Sequence, residues 1–309
     1  MSVIDITFIK KMEITLKQST LLDTITVPRV LIIAGSDSSG GAGVQADIKT
    51  CAAFGVYSQS AITAITAQNT HGVQQVEACS PTMVRAQIRS AMDDIGADII
   101  KIGMLATADI IDVVAEEIKD SAALVVLDPV MVATSGDSLL QDAAVEALKD
   151  RLIPHCDIIT PNVPEAEILT GVSIKEASDL ATAGRQLLEM GAYAALMKGG
   201  HLTGKTVIDV LVSDEGASMM TGPRIHSRHT HGTGCTLASA VAAGLALGHP
   251  LEEAVMRARD FVFEAINNAP KLGAGQGPLN HGLVLEANDA DEAAGQSANP
   301  FAALKDFKP

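Results

Sequence analysis

The stretch RHTHGTGCTLASAVAAG, residues 228–244, runs a glycine-broken turn into an alanine-rich helix and places a thiol, Cys235, where one becomes the other. Four uses suit a cysteine there: packing, metal ligation, nucleophilic attack and proton carriage. Gly232 and Gly234 let successive backbone N–H groups point into one concavity, and the positive end of the following helix adds to them. The segment Gly232, Thr233, Gly234, Cys235 therefore reads as an anion hole. It is not a Walker A loop, because no Gly-Lys-Ser/Thr follows. N–H groups stabilise a thiolate at such a place, so a depressed pKa is expected for Cys235. A zinc site through His226, His229, His231 and Cys235 is disfavoured, since zinc ligands come at shorter paired spacings and no second cysteine lies nearby.

Other segments carry chemistry of the same polar kind. TPNVPEAE (160–167) puts Asn162 and Glu165 at a strand end, as hard oxygen ligands suited to Mg²⁺ held mainly through water. The same residues also spell a helix start, with Asn162 as cap, Pro164 in the first turn and Glu165 at the third position; the two readings are compatible. Asp128, before Pro129, is a second strand-end carboxylate, and Lys198 in MKGGH could neutralise phosphate charge. GAGVQA (41–46) fits the dinucleotide fingerprint, but the next strand ends in Gln68–Asn69 where a ribose-binding acid is needed, which weakens a nicotinamide oxidoreductase. Asp47, close to the apolar stripe of Val44, Ile48, Cys51 and Ala52, must be paired or face the site, because a lone buried carboxylate is costly.

Regular elements must hold these groups. From Pro28 on, short β-branched runs alternate with stretches of helical period. Strands are expected at 30–35, 61–67, 98–103, 123–128, 156–161 and 194–200, with helices in PTMVRAQIRSAMDDIG and SDLATAGRQLLEMG between them. Continuous apolar strands alternating with helices predict a mostly parallel sheet covered on both faces. TVIDVLVSDEGASMMTGPRI breaks the rhythm and predicts a hairpin at the sheet edge. Polar, Gly-rich residues gather after each strand, where an open parallel sheet forms its ligand crevice. One domain, 28–284, is expected, with an extension at 1–27 and an acidic Ala/Gly-rich tail at 285–309.

Composition narrows the partners. Aromatic residues are 3% of 309 and hydrophobic residues 47%, so Ala, Val, Ile, Leu and Met must build the core. A net charge of −15 repels phosphodiester backbones and anionic lipid, which argues against nucleic-acid and membrane partners. The four cysteines are widely spaced without a CxxC pair, the residues at the start do not read as a secretory signal, and no apolar run spans a membrane; together these predict free thiols and a cytoplasmic protein.

AGSDSSGGAGVQADIKT, TAQNTHGV, KIGM, LDPVMVATSG, TPNVPEAE, MKGGH and HTHGTGCT occur in this order over about residues 28–284. In these seven motifs the chain resembles the hydroxymethylpyrimidine/phosphomethylpyrimidine kinases of thiamine biosynthesis. The resemblance implies an α/β, ribokinase-like three-layer sandwich with a mostly parallel central sheet and an edge hairpin. It implies two Mg-ATP-dependent phosphorylations, of 4-amino-5-hydroxymethyl-2-methylpyrimidine and then of its monophosphate. Carried over by motif, Gln68 hydrogen-bonds the aminopyrimidine, while Asp47, Gly35 and Met104 help form its pocket. Lys198 meets the ATP phosphates together with Thr233 and Asn162; Glu165, Asn162 and Asp128 organise magnesium; Gly232–Cys235 forms the anion hole. Cys235 stands where most ribokinase-like enzymes carry an aspartate base, which implies a base or proton relay. The family also suggests a homodimer. Pyridoxal kinases of the same fold share much of this motif set. A non-catalytic pyrimidine sensor should have lost Lys198, Glu165 or the glycine loop, and none is lost.

Overall fold

The computed structural model describes residues 27–131 and 142–282. The expected extension up to residue 26, the tail at 285–309 and the motif piece VATSG lie outside the described residues. Nine strands form one sheet in the order β3-β2-β1-β4-β5-β6-β7-β8-β9. They are β1 (Arg29–Asp37), β2 (Tyr57–Asn69), β3 (Gly72–Ala78), β4 (Ile99–Ile102), β5 (Leu124–Leu127), β6 (Ile158–Ile159), β7 (Ala194–Met197), β8 (Thr206–Ser213) and β9 (Gly216–Pro223). The helices are α1 (Gly43–Ala53), α2 (Pro81–Asp94), α3 (Ala108–Ile118), α4 (Asp142–Ala147), α5 (Val163–Thr170), α6 (Ala177–Glu189), α7 (Thr233–Ala246) and α8 (Leu251–Asn267).

The run from β2 through β1, β4, β5 and β6 to β7 is parallel throughout. Side chains alternate across each strand. Val30, Ile32 and Ala34 pack with α1, α7 and α8 on one face. Leu31 and Ile33 pack with α2, α3, α5 and α6 on the other. Both faces are covered, which is why these strands read as unbroken apolar runs and not as alternating ones. The result is the three-layer sandwich that the sequence predicts.

The edge hairpin is also where it is expected. β8 pairs antiparallel with β7 and β9 closes the edge. The opposite edge differs: after Asn69 the chain turns at Thr70–His71 into β3, antiparallel to β2, where only a polar loop is expected. β3 reads GVQQVEA and exposes most of its side chains, so it carries neither an apolar run nor a clear period-two alternation.

Helix α7 is buried on nearly every side from Thr236 to Ala246. Its small residues allow that: a Cβ added to Gly244 would stand 3.0 Å from the Ala254 Cβ of α8. An all-round buried helix cannot shift without disturbing both neighbours, so its first turn is a fixed platform.

Candidate active site

A cavity of about 860 Å³ opens at the carboxyl ends of the parallel strands. It lies around β1, whose neighbours are β2 on one side and β4 on the other; α1 lies on one face of the sheet and α2 on the other. That is a topological switch point, the usual crevice of an open α/β sheet.

One end is lined by Gly35, Asp37, Gln68, Met104 and His231. A Cβ on Gly35 would stand 3.1 Å from Met104 Sδ, so these two shape one wall together. Thr66 Oγ1 shares its proton between the Ser36 carbonyl at 2.9 Å and Gln68 Oε1 at 3.1 Å, and the Gln68 amide nitrogen stands 3.5 Å from His231 Nε2, leaving its N–H groups for a ligand. Asp37 collects the N–H groups of Ser39, Gly41 and Ala42, the Ser39 hydroxyl and His231 Nε2, the last at 2.8 Å. Desolvation works against its ionised form, yet the His231 and Ser39 hydrogen bonds outweigh it and hold Asp37 below the usual carboxylate range. Facing a carboxylate, His231 Nε2 must be the donor. This pair ties the 37–42 loop to the loop before α7. Sequence reading set His231 aside with the zinc case and gave Asp37 no role. The polar turn SDSSGG after β1 was the available signal.

The centre of the cavity is the first turn of α7. Gly232, its N-cap, has φ +83°, and a Cβ there would fall 1.8 Å from the Gly41 carbonyl oxygen, so only glycine fits. Thr233 gives both its N–H and its hydroxyl to the Thr230 carbonyl, at 3.2 and 2.7 Å. The N–H groups of Gly234 and Cys235 have no acceptor among the described residues, so they are the donors left for an anion. A Cβ on Gly234 would sit 3.2 Å from Lys198 Nζ and 3.5 Å from Asp128 Oδ2. The free N–H groups, an ammonium and a carboxylate therefore border one small space.

Lys198 bonds Asp128 Oδ1 at 2.7 Å and lies 4.0 Å from Glu165 Oε2, and Thr160 Oγ1 supports the same Asp128 oxygen. Asn162 and Glu165 form a reciprocal capping box on α5, each accepting the other's backbone N–H at 3.0 and 2.8 Å. The helix-start reading of this segment thus holds, and Asn162 Oδ1 is engaged in it. Burial pushes the Glu165 carboxyl up to about 7, Lys198 pulls against that and Asp128 adds to it.

Two expectations need correction. Asp47 does not reach the cavity: it is fully buried beneath it, bonded to Lys101 Nζ at 2.9 and 2.8 Å and to Ser239 Oγ at 2.7 Å. Cys235 lines the cavity, but its thiol is raised to about 12 instead of lowered. Desolvation is the main cause; Lys101 opposes it, Asp47 and Asp128 reinforce it, and the Gly43 N–H opposes it. A helix start favours a thiolate locally, and here the low-dielectric surroundings and two carboxylates win. The zinc reading also finds no support, as no three His, Cys, Asp or Glu side chains among the described residues are grouped to hold a metal ion.

Beyond Lys198 the cavity continues between the β8–β9 hairpin and α8, lined by Val207, Ile225, Val262, Phe263 and Ile266, with Arg224 and Arg259 at its rim. Its apolar walls suit a flat ring, and its other end suits an anion.

The sequence profile of phosphomethylpyrimidine kinase matches residues 37–280. The hydroxymethylpyrimidine/phosphomethylpyrimidine kinase of Streptomyces coelicolor is 47% identical over 261 residues, which are 84% of this chain and 97% of that protein. The crystal structure of phosphomethylpyrimidine kinase from Clostridium difficile superposes with a TM-score of 0.70 at 42% identity, covering 78% of this chain and all of that one. An ADP complex of Bacillus subtilis pyridoxal kinase superposes with a TM-score of 0.77 at 37% identity, covering 84% and 98%.

Proposed function

The chain belongs to the phosphomethylpyrimidine kinase family, and on that premise we propose that it phosphorylates 4-amino-5-hydroxymethyl-2-methylpyrimidine and then its monophosphate with ATP, in thiamine biosynthesis. The observation that carries this reading is the small space bordered by the Gly234 and Cys235 N–H groups and Lys198. Phosphoryl transfer is mostly positioning and charge neutralisation, and fixed donors around the migrating group supply both.

The pyrimidine lies against Gly35 and Met104, within reach of Gln68 and of the Asp37–His231 pair. Its hydroxymethyl group then faces the first turn of α7. The adenine occupies the apolar limb between β8–β9 and α8, and Lys198 moves from Asp128 to the phosphates. Lys198 is able to do so because its side chain is 12% exposed to the cavity. Bound magnesium would supply positive charge to the phosphate oxygens. The residues present fit it as a hydrated ion: Asp128 and Glu165 are two oxygen donors on one side of the space, too few to strip its water shell. Thr233 and Asn162 serve this region by fixing the anion loop and α5 respectively.

Cys235 presents a neutral thiol, so it is not a ready-made base. It packs against the reacting oxygen and exchanges a proton only when its surroundings change, which suits a loose transition state with little need for early proton removal. The protein acts in the cytoplasm as a homodimer, and Cys51, Cys79 and Cys235 carry free thiols, as in a reducing compartment.

The test is ADP release with hydroxymethylpyrimidine, its monophosphate and pyridoxal side by side. Turnover of both pyrimidines is expected. Turnover of pyridoxal alone would overturn the reading in favour of the pyridoxal kinases that share the fold.

A further inference from the structure

Lys101 has no role in the reading above, yet it is among the largest fully buried side chains of the described residues. It stands on β4 among isoleucines, two residues after Ile99 on the same face of the sheet, so its ammonium enters the layer of α1 and α7. Asp47 of α1 takes two of its N–H groups. Ser239 of α7 bonds the same carboxylate, one helical turn beyond Cys235. An ammonium has three donors, and no acceptor for the third is found among the described residues. The ammonium also borders the cavity floor, 3.1 Å from where a Cβ on Gly103 would stand. A buried ion pair is rarely more stable than apolar residues of equal volume, so packing alone does not account for one placed under a reaction centre.

We propose that Lys101 is a positioning residue for the transfer reaction: its ammonium, held from behind by Asp47, which Ser239 also bonds one turn from Cys235, borders the same cavity as the Cys235 thiol and governs how readily that thiol exchanges its proton. The groups that act on the thiol are Lys101 from β4, Asp47 and the Gly43 N–H from α1, and Asp128 after β5, and Lys198 after β7 responds to it in turn. Lys101 favours its thiolate, while burial most of all and then Asp47 and Asp128 oppose it. The role in transfer rests on the kinase reading; the charge relation between Lys101 and Cys235 does not.

Alkylation by iodoacetamide separates the two, because it needs no turnover. The rate at Cys235 is followed against pH by peptide mass spectrometry, which distinguishes it from Cys51, Cys79 and Cys156. Lys101→Met is expected to slow alkylation at pH 9 at least fivefold, and Asp47→Asn to speed it at least threefold. A purely structural role would loosen the site and speed both, so slowing in Lys101→Met is the discriminating result, and an unchanged or faster rate overturns the proposal. Should Lys101→Met fail to fold, the pair Lys101→Met/Asp47→Leu replaces both charges with apolar volume and is compared with Asp47→Asn. Slower alkylation in the pair supports Lys101; equal or faster alkylation overturns it. With the pyrimidine substrates, kcat of the folded Lys101 variant should fall tenfold or more while KM stays within threefold. If no variant or wild-type protein turns over pyrimidine, the kinase reading fails and the alkylation result still stands.

Discussion

Two lysine–carboxylate pairs flank the first turn of α7, and they differ in one respect that decides their work. Lys101 and Asp47 are both completely shielded from solvent, with the carboxylate further bonded to Ser239. Lys198 and Asp128 meet at a similar distance, but Lys198 keeps 12% exposure to the cavity and has Glu165 as a second carboxylate 4.0 Å away. The first pair has nowhere else to go: water cannot replace either partner. The second can part, because an incoming phosphate can take over from Asp128. One chemical unit is thus a fixed support in one place and an exchangeable contact a few side chains away, and solvent access separates the two.

The sharpest way to break this contrast is to remove each lysine in turn. Lys101→Met leaves a carboxylate buried without a counter-ion, and about 3–5 kcal/mol of stability is lost when one partner of such a pair is removed. Lys198→Met also leaves a buried carboxylate, but one beside an open cavity that water can enter once the lysine is gone, so a smaller loss than for Lys101→Met is expected. Urea denaturation of both variants measures the difference. Equal losses would show that the two pairs are buried alike and would remove the basis of the comparison.

The same lysines should reverse rank in activity per unit of stability lost. Removing a group that neutralises charge in the transition state lowers kcat by about 10²–10³. Lys198→Met should show that loss with its fold intact, as judged by circular dichroism and a cooperative urea transition. A variant that keeps wild-type turnover would exclude Lys198 from contact with the transferred group.

The sequence disclosed these two pairs unequally. Lys198 was legible because MKGGH ends a strand and the glycines after it announce a turn near the crevice. Lys101 was not, because in DIIKIG it looks like one polar interruption of an apolar strand. Its partner Asp47 lies 54 residues earlier on a helix, and only the parallel packing of β4 against α1 and α7 brings them together. Asp47 itself was half read, since the cost of a bare buried carboxylate required a partner but could not name it. The Cys235 thiol failed for a related reason. A helix start is a local signal visible in GTGC, whereas desolvation sums over everything that surrounds the atom. The fold was the easiest part, because two-sided burial writes itself into six apolar runs; β3 escaped because an exposed edge strand has no such pattern.

A third buried group shows what happens without any counter-ion. His281 is shielded behind α7, and its Nε2 lies 2.8 Å from Thr236 Oγ1. That hydroxyl already donates to the Gly232 carbonyl, so His281 is the donor to it as a neutral imidazole. Burial drives its pKa down to about 4, with the Lys49 charge adding to the shift. A histidine lowered in the folded state contributes stability that is complete above its unfolded value of about 6.5 and is lost as pH falls towards 4. The loss over that window is about 3 kcal/mol at most. Urea midpoints of the wild type should therefore drop between pH 7 and pH 4.5 by more than those of His281→Gln, which can still donate to Thr236 but has no proton to gain. Parallel curves for the two proteins would show that His281 is free to charge in place.

The smallest effect tests how tightly the fixed pair is held. Ser239→Ala removes one hydrogen bond to the Asp47 carboxylate and leaves the ion pair with Lys101 in place. Hydrogen bonds to charged groups contribute about 1.5–3 kcal/mol, and the lysine, which keeps both of its bonds to the same carboxylate, offsets part of this loss. A fall of about 1–2 kcal/mol in urea stability is expected on those grounds. The consequence for the site is more telling than the magnitude. Ser239 and Cys235 lie one turn apart on the same face of α7, so the Ser239–Asp47 bond sets the rotation of that helix relative to α1. If the support is rigid, kcat should drop severalfold while KM for ATP is unchanged, because the limb of the cavity proposed for the nucleotide lies along β8–β9 and α8, away from α1. A variant with lower stability and undiminished kcat would mean that the buried pair supports the fold alone, and that the first turn of α7 is held in register by its glycines and the Asp37–His231 bond instead.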